Sequence, residues 1–80
     1  MKQLRLTIEN VLIAKGKTRY WLAKETGLDY STVNKYYRNR VQRYDSYVLA
    51  QICNAFHCEI EDILELAEDG KIEYTMEDKN

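Results

Sequence analysis

TRYWLAKETGLDYSTVNKYYRN, Thr18 to Asn39, is spaced as two short helices joined by a sharp turn. Ala23 stands four residues before Gly27, and Val33 follows six residues after it. Helices that cross closely need a small side chain where they touch, which is the place of Ala23. The turn between them favours a residue that tolerates positive φ, which is Gly27. The second helix must bury an apolar residue against the first, and Val33 does so with help from Leu22 and Leu28. Thr18 is a good N-cap for a first helix over Arg19 to Thr26, and Asp29 for a second over Tyr30 to Arg38. Asn39, next best after Gly in a left-handed C-cap, closes the pair.

The flanks read as further helices. Ile8, Val11 and Leu12 form one apolar stripe of a helix from about Leu6 to Lys15, ended by Gly16. Residues 2–7 are ambiguous, because Leu4 and Leu6 alternate with polar residues as in a strand, yet Leu4 also continues the helical stripe. Asp45 is an N-cap for a helix over Ser46 to Phe56, whose inward stripe is Val48, Leu49, Ile52, Cys53 and Phe56. His57 takes the left-handed position after it. A fifth helix is expected from Ile60 to Leu66, burying Ile60, Ile63 and Leu64, with Glu59 a poor N-cap. Asp69-Gly70 is a turn signal. Beyond it, Ile72, Tyr74 and Met76 alternate as in a short strand over 71–76, which would have to pair with residues 2–6; an unstructured acidic tail is the alternative.

Thr18, Leu22, Ala23, Gly27, Leu28, Val33 and Asn39, followed by Leu49, Ile52 and Phe56, stand in register with a known pattern. From about Ile8 to Leu66 the chain resembles the lambda-repressor-like (Cro-type, XRE) family of small prokaryotic and phage regulators. The resemblance implies an all-α, compact five-helix DNA-binding domain over residues 1–66, with an acidic tail over 67–80 and a strand pair from the two termini left open. It also implies that the Tyr30–Arg38 helix enters the major groove of duplex DNA. Base contacts then fall on Tyr30, Ser31, Asn34 and Lys35. Lys35 suits guanine O6 or N7, and Asn34 suits paired bonds to adenine. Tyr30 stands where an amide is common, and would meet a thymine methyl or a phosphate instead. Backbone N–H groups at the Thr18 end of the first helix would hold a phosphate. Arg19 lies in that first turn, where a helix dipole prefers an anion, a placement that makes sense beside a phosphate. Phosphate contacts are also expected from Tyr20, Tyr37, Arg38, Arg40, Arg43 and the backbone near Tyr44. Trp21 departs from the polar residue usual at its position, and is expected to pack on loop 40–44 or on the helix before it.

Charge agrees with a nucleic-acid partner. Residues 1–43 hold ten Lys and Arg against three acids, a balance of +7. Residues 44–80 hold two Lys against ten acids, a balance of −8. Segregated charge of this kind suits one face meeting phosphates, with a solvated surface as the bland alternative. With 80 residues, one small domain is expected, helped by dimerisation at least on DNA. No apolar run suggests a membrane span and no signal-peptide core is visible, so a cytoplasmic, nucleoid-associated protein with reduced Cys53 and Cys58 is expected. Cys53, His57 and Cys58 lack an evident fourth ligand, so no metal or other cofactor is expected. One His and no phosphate loop argue against an enzyme. The competing function is a protein-interaction module, antitoxin- or antirepressor-like, that keeps the helix-turn-helix as scaffold and binds a basic partner or a toxin with its acidic second half, a reading that exposed Tyr20, Trp21 and Tyr37 would favour.

Overall fold

The structure, a computed structural model, describes residues 2–68. A strand β1 (Lys2–Leu6) leads into four helices, α1 (Ile8–Lys15), α2 (Arg19–Thr26), α3 (Tyr30–Tyr37) and α4 (Ser46–Phe56). A 3-10 turn (Ile60–Asp62) then delivers the chain to a second strand, β2 (Leu64–Glu68). The strands pair antiparallel from Lys2↔Glu68 to Leu6↔Leu64.

Each helix stops where the backbone turns left-handed. Gly16, Gly27, Asn39 and His57 have φ of 65°, 74°, 58° and 56°. After α1, α3 and α4 two successive N–H groups at the left-handed turn bond back to the last turn: Gly16 and Lys17 to Ile13 and Leu12, Asn39 and Arg40 to Tyr36 and Lys35, His57 and Cys58 to Asn54 and Cys53. This is the Schellman closure, which satisfies carbonyls the helix itself leaves bare. After α2 the simpler form appears, with Gly27 N–H bonding Ala23 O at 2.9 Å. At the other ends, Thr18 Oγ1 accepts from Trp21 N–H at 3.1 Å, and Asp45 accepts from Tyr47 N–H at 2.8 Å. Asp29 has the extended backbone of an N-cap but makes no side-chain cap bond.

One core unites the elements. Leu6, Ile8, Leu12, Leu22, Val33, Tyr36, Val48, Ile52, Phe56 and Ile63 are buried together, with Val11, Ala23, Leu28, Leu49, Cys53 and Leu64 packed around them. Trp21, expected on the 40–44 loop or on α1, is partly buried against the core. It stacks on Phe56 of α4 with ring centroids 6.1 Å apart, and Lys17 Nζ sits 5.3 Å from its centroid.

The C-terminal part of the described chain departs from the sequence expectation. Instead of a fifth helix over Ile60 to Leu66 there is one 3-10 turn and then a strand, and Ile60 is exposed. Leu, Glu and Ala favour a helix only by tenths of a kcal/mol each. The unpaired backbone of β1 outweighs that preference, because each rung of the ladder gives two backbone groups partners. Thr7 N–H donates to Ile63 O at 2.8 Å, the Thr7 hydroxyl donates to Asp62 O at 3.0 Å, and Arg5 Nε lies 2.7 Å from Glu65 Oε2 across the ladder. With Leu6 committed to the strand, α1 begins at Ile8 rather than Leu6. The partner of residues 2–6 is therefore 64–68, which runs across the expected boundary between 66 and 67. The suggested strand 71–76 lies outside the described residues.

Candidate nucleic-acid interface

Two elements set the angle of α3. Val33 and Tyr36 are buried on its inner side, so Ser31 and Lys35, one turn apart, are exposed on the outer side. The turn before α3 is stapled by Thr26. Its buried hydroxyl donates to Leu22 O at 2.7 Å and accepts from Leu28 N–H at 3.2 Å. From α4, Gln51 Nε2 donates to Thr26 O at 3.3 Å. Neither Thr26 nor Gln51 stands out in the sequence, although a Thr directly before a turn Gly is a local signal for such a bond.

The first turn of α2 lies against α3 through side chains. Arg19 Nη1 donates to Asn34 Oδ1 at 2.6 Å, and the Arg19 guanidinium carbon sits 4.2 Å from the Tyr37 ring centroid. Arg38 Nε also donates to Asn34 Oδ1, at 3.3 Å. Beside this group, Tyr20 and Tyr30 stack with centroids 4.6 Å apart and planes 23° from parallel. Six residues singled out in the sequence for DNA contact thus fall into two contacting sets, Arg19, Asn34, Tyr37 and Arg38 in one and Tyr20 and Tyr30 in the other. Tyr20, expected at a phosphate, and Tyr30, expected at a base, thus lie ring against ring. Tyr37 is half-buried beneath Arg19, and Trp21 is partly buried against the core.

The loop after α3 is held at both ends. Asn39 Oδ1 accepts from Leu6 N–H at 2.6 Å while Asn39 Nδ2 donates to Leu6 O at 3.0 Å. The side-chain amide thus pairs with the backbone of β1 as a neighbouring strand would. Sequence reasoning placed Asn39 for its backbone angle alone, since its partner is thirty-three residues away. At the far end, Asp45 N–H donates to Tyr36 Oη at 2.9 Å. Between these ties, Arg40 and Arg43 are exposed. Tyr44 lies against Tyr36 at 6.2 Å, and burial, then the neighbouring Tyr36, raises its phenol above the ordinary value, so it stays a neutral hydrogen-bonding group. Thr18 is exposed and spends its hydroxyl on the α2 cap.

Cys53 and Cys58 sit at the α4 closure, away from this surface in sequence and partly buried. They occupy the two positions that a Schellman closure brings together. Burial, then the neighbouring Cys53, pushes the Cys58 thiol up to about 11, and burial also raises Cys53. Thiols held protonated in this way are poor nucleophiles at neutral pH.

The sequence profile of the Cro/C1-type HTH (helix-turn-helix) DNA-binding domain matches residues 7–69. Among solved structures, the chain is similar to a candidate DNA-binding protein from Bacteroides fragilis, with 21% identity, a TM-score of 0.68, and coverage of 79% of this chain and all of the other. It is also similar to the transcriptional regulator VanUg, with 23% identity, a TM-score of 0.70, and coverage of 85% of this chain and 89% of the other. At these identities the likeness is one of fold. No curated protein matches the chain.

Proposed function

Because the chain belongs to the Cro/C1-type HTH DNA-binding domain family, we propose that it is a sequence-specific, repressor-like regulator of transcription that lays α3 in the major groove of duplex DNA. Lys35 would donate to guanine, Ser31 to an adjacent base edge, and the Tyr30 ring would lie against a thymine methyl, the apolar group that the major groove offers. Phosphates on either side would meet Thr18 and the N–H groups at the start of α2, then Arg19, Tyr20, Tyr37 and Arg38, and finally Arg40, Arg43 and the backbone at Tyr44. These contacts fix register without reading sequence. The DNA-binding unit, expected from the sequence over residues 1–66, would extend through Glu68, because β2 crosses that boundary to pair with β1.

The observation that carries this reading is the outer side of α3. Ser31 and Lys35 are exposed there, and α3's own packing uses neither. Arg19 and Arg38 are drawn up beside them by Asn34. Of the three aromatics that would favour the interaction-module reading, Trp21 and Tyr37 are engaged within the chain, while Tyr20 is exposed and stacked on Tyr30. So small a module touches few bases, so the active species would be a two-fold dimer at least on DNA, with half-sites about one helical turn apart.

Selection of duplexes from a random pool by the purified protein tests this. An inverted repeat with centres about ten base pairs apart is expected. A folded protein that enriches nothing at low salt would overturn the reading.

A further inference from the structure

One polar side chain on the outer part of α3 has already committed its acceptor. Paired bonds to adenine require an amide oxygen that accepts from N6 and an amide nitrogen that donates to N7. The oxygen of Asn34 accepts from Arg19 at 2.6 Å and from Arg38 at 3.3 Å. Guanidinium nitrogens only donate, so the atom they meet must be the oxygen, and the amide's orientation is determined by its partners. To read adenine, Asn34 would have to release two charge-assisted bonds, each stronger than a neutral one.

The same contacts leave a charge unanswered. Asn34 and Tyr37, the partners of Arg19, are neutral. Arg38 brings a second guanidinium to the same uncharged oxygen, so positive charge gathers there. Arg19 also stands in the first turn of α2, where the helix dipole adds to that charge. Arg19 has spent one N–H on Asn34 and keeps the rest of its planar fork, the geometry that matches a phosphate.

We propose that Asn34 is a positioning residue: it holds Arg19 and Arg38 as a bracket for one backbone phosphodiester and does not read a base. The inference rests on the DNA-binding reading above. It places sequence discrimination on α3 with Tyr30, Ser31 and Lys35, and gives Asn34 a role in affinity for every duplex.

Asn34→Ala, Arg19→Ala/Arg38→Ala and the triple variant separate the possibilities. Binding to a random-sequence duplex is measured across a salt series, and each protein is carried through duplex selection. Alanine suits a helix interior, so Asn34→Ala should keep its thermal midpoint. It should bind all duplexes roughly tenfold more weakly, as for loss of a charge-assisted bond, with a shallower salt dependence and an unchanged selected motif. In the Arg19→Ala/Arg38→Ala background, removing Asn34 should have no further effect. A change of base preference at one motif position with the salt dependence intact would overturn the proposal in favour of direct reading. Undiminished affinity, or the same loss with both arginines absent, would overturn it too. If the unaltered protein binds no duplex at low salt, the underlying reading fails, and this is visible before any variant is made.

Discussion

Asn39 and His57 hold nearly the same backbone angles but are not equivalent residues. At His57 the left-handed conformation is strained for any residue with a Cβ, and its exposed side chain makes no hydrogen bond among those described. His57→Gly should therefore stabilise the fold by about 0.5–1 kcal/mol. At Asn39 the same change relieves the same strain but removes both bonds to Leu6. Because it leaves a part-buried N–H without a partner, Asn39→Gly should destabilise by about 1–2 kcal/mol. Urea denaturation of the two variants checks the opposite signs. Cys58 gives a second test. Its thiol is pushed up to about 11 by burial first and by Cys53 second, so the folded state favours the proton. The stabilisation this gives is complete at neutral pH and is lost as pH rises toward that value. Alkylation of the native protein should still be accelerating above pH 9, where an ordinary thiol has levelled off; a plateau there would contradict the burial.

The helices illustrate which elements can be read locally. Both α2 and α4 occupy the spans expected from their caps, because Thr18, Gly27, Asp45 and His57 act within a turn of where they stand. What fails to show in the sequence is long-range. The run LELAE has helical composition, and only β1, some sixty residues away, makes it a strand. Likewise, nothing near Arg19 announces Asn34, and nothing near Trp21 announces Phe56. The candidate face was legible as a set of residues, since helical spacing places Ser31 and Lys35 outward. Its internal bonding was not, since that depends on how α2 lies against α3. The Tyr20–Tyr30 stack makes a prediction about the helix pair. If the stacked rings form one apolar surface against a thymine methyl, replacing that thymine by uracil in a selected duplex should weaken binding roughly fivefold or more. Tyr20→Ala should erase that difference although Tyr20 is on the other helix. A penalty that survives Tyr20→Ala would separate the two rings.

Across the whole molecule, charge and fold coincide. The +7 stretch, residues 1–43, includes α2, α3 and most of the loop after α3, whereas the −8 stretch begins with Tyr44. In the DNA-binding role proposed above, such an arrangement would turn the protein toward a polyanion before contact and make association steeply salt-dependent. Arg40→Ala and Arg43→Ala should each weaken binding to all duplexes alike and lower the salt slope by about one unit, without altering the preferred motif. Lys35→Ala should instead change base preference at one position of each half-site. Competition titrations over a salt series distinguish the two behaviours. The amide that ties Asn39 to Leu6 has one more consequence, for spectroscopy. Leu6 N–H points at a side chain just past the end of α3 rather than at a strand. The deuterium exchange of that single proton therefore times how often the far end of α3 comes loose, a clock built into the last rung of the ladder and readable with or without DNA.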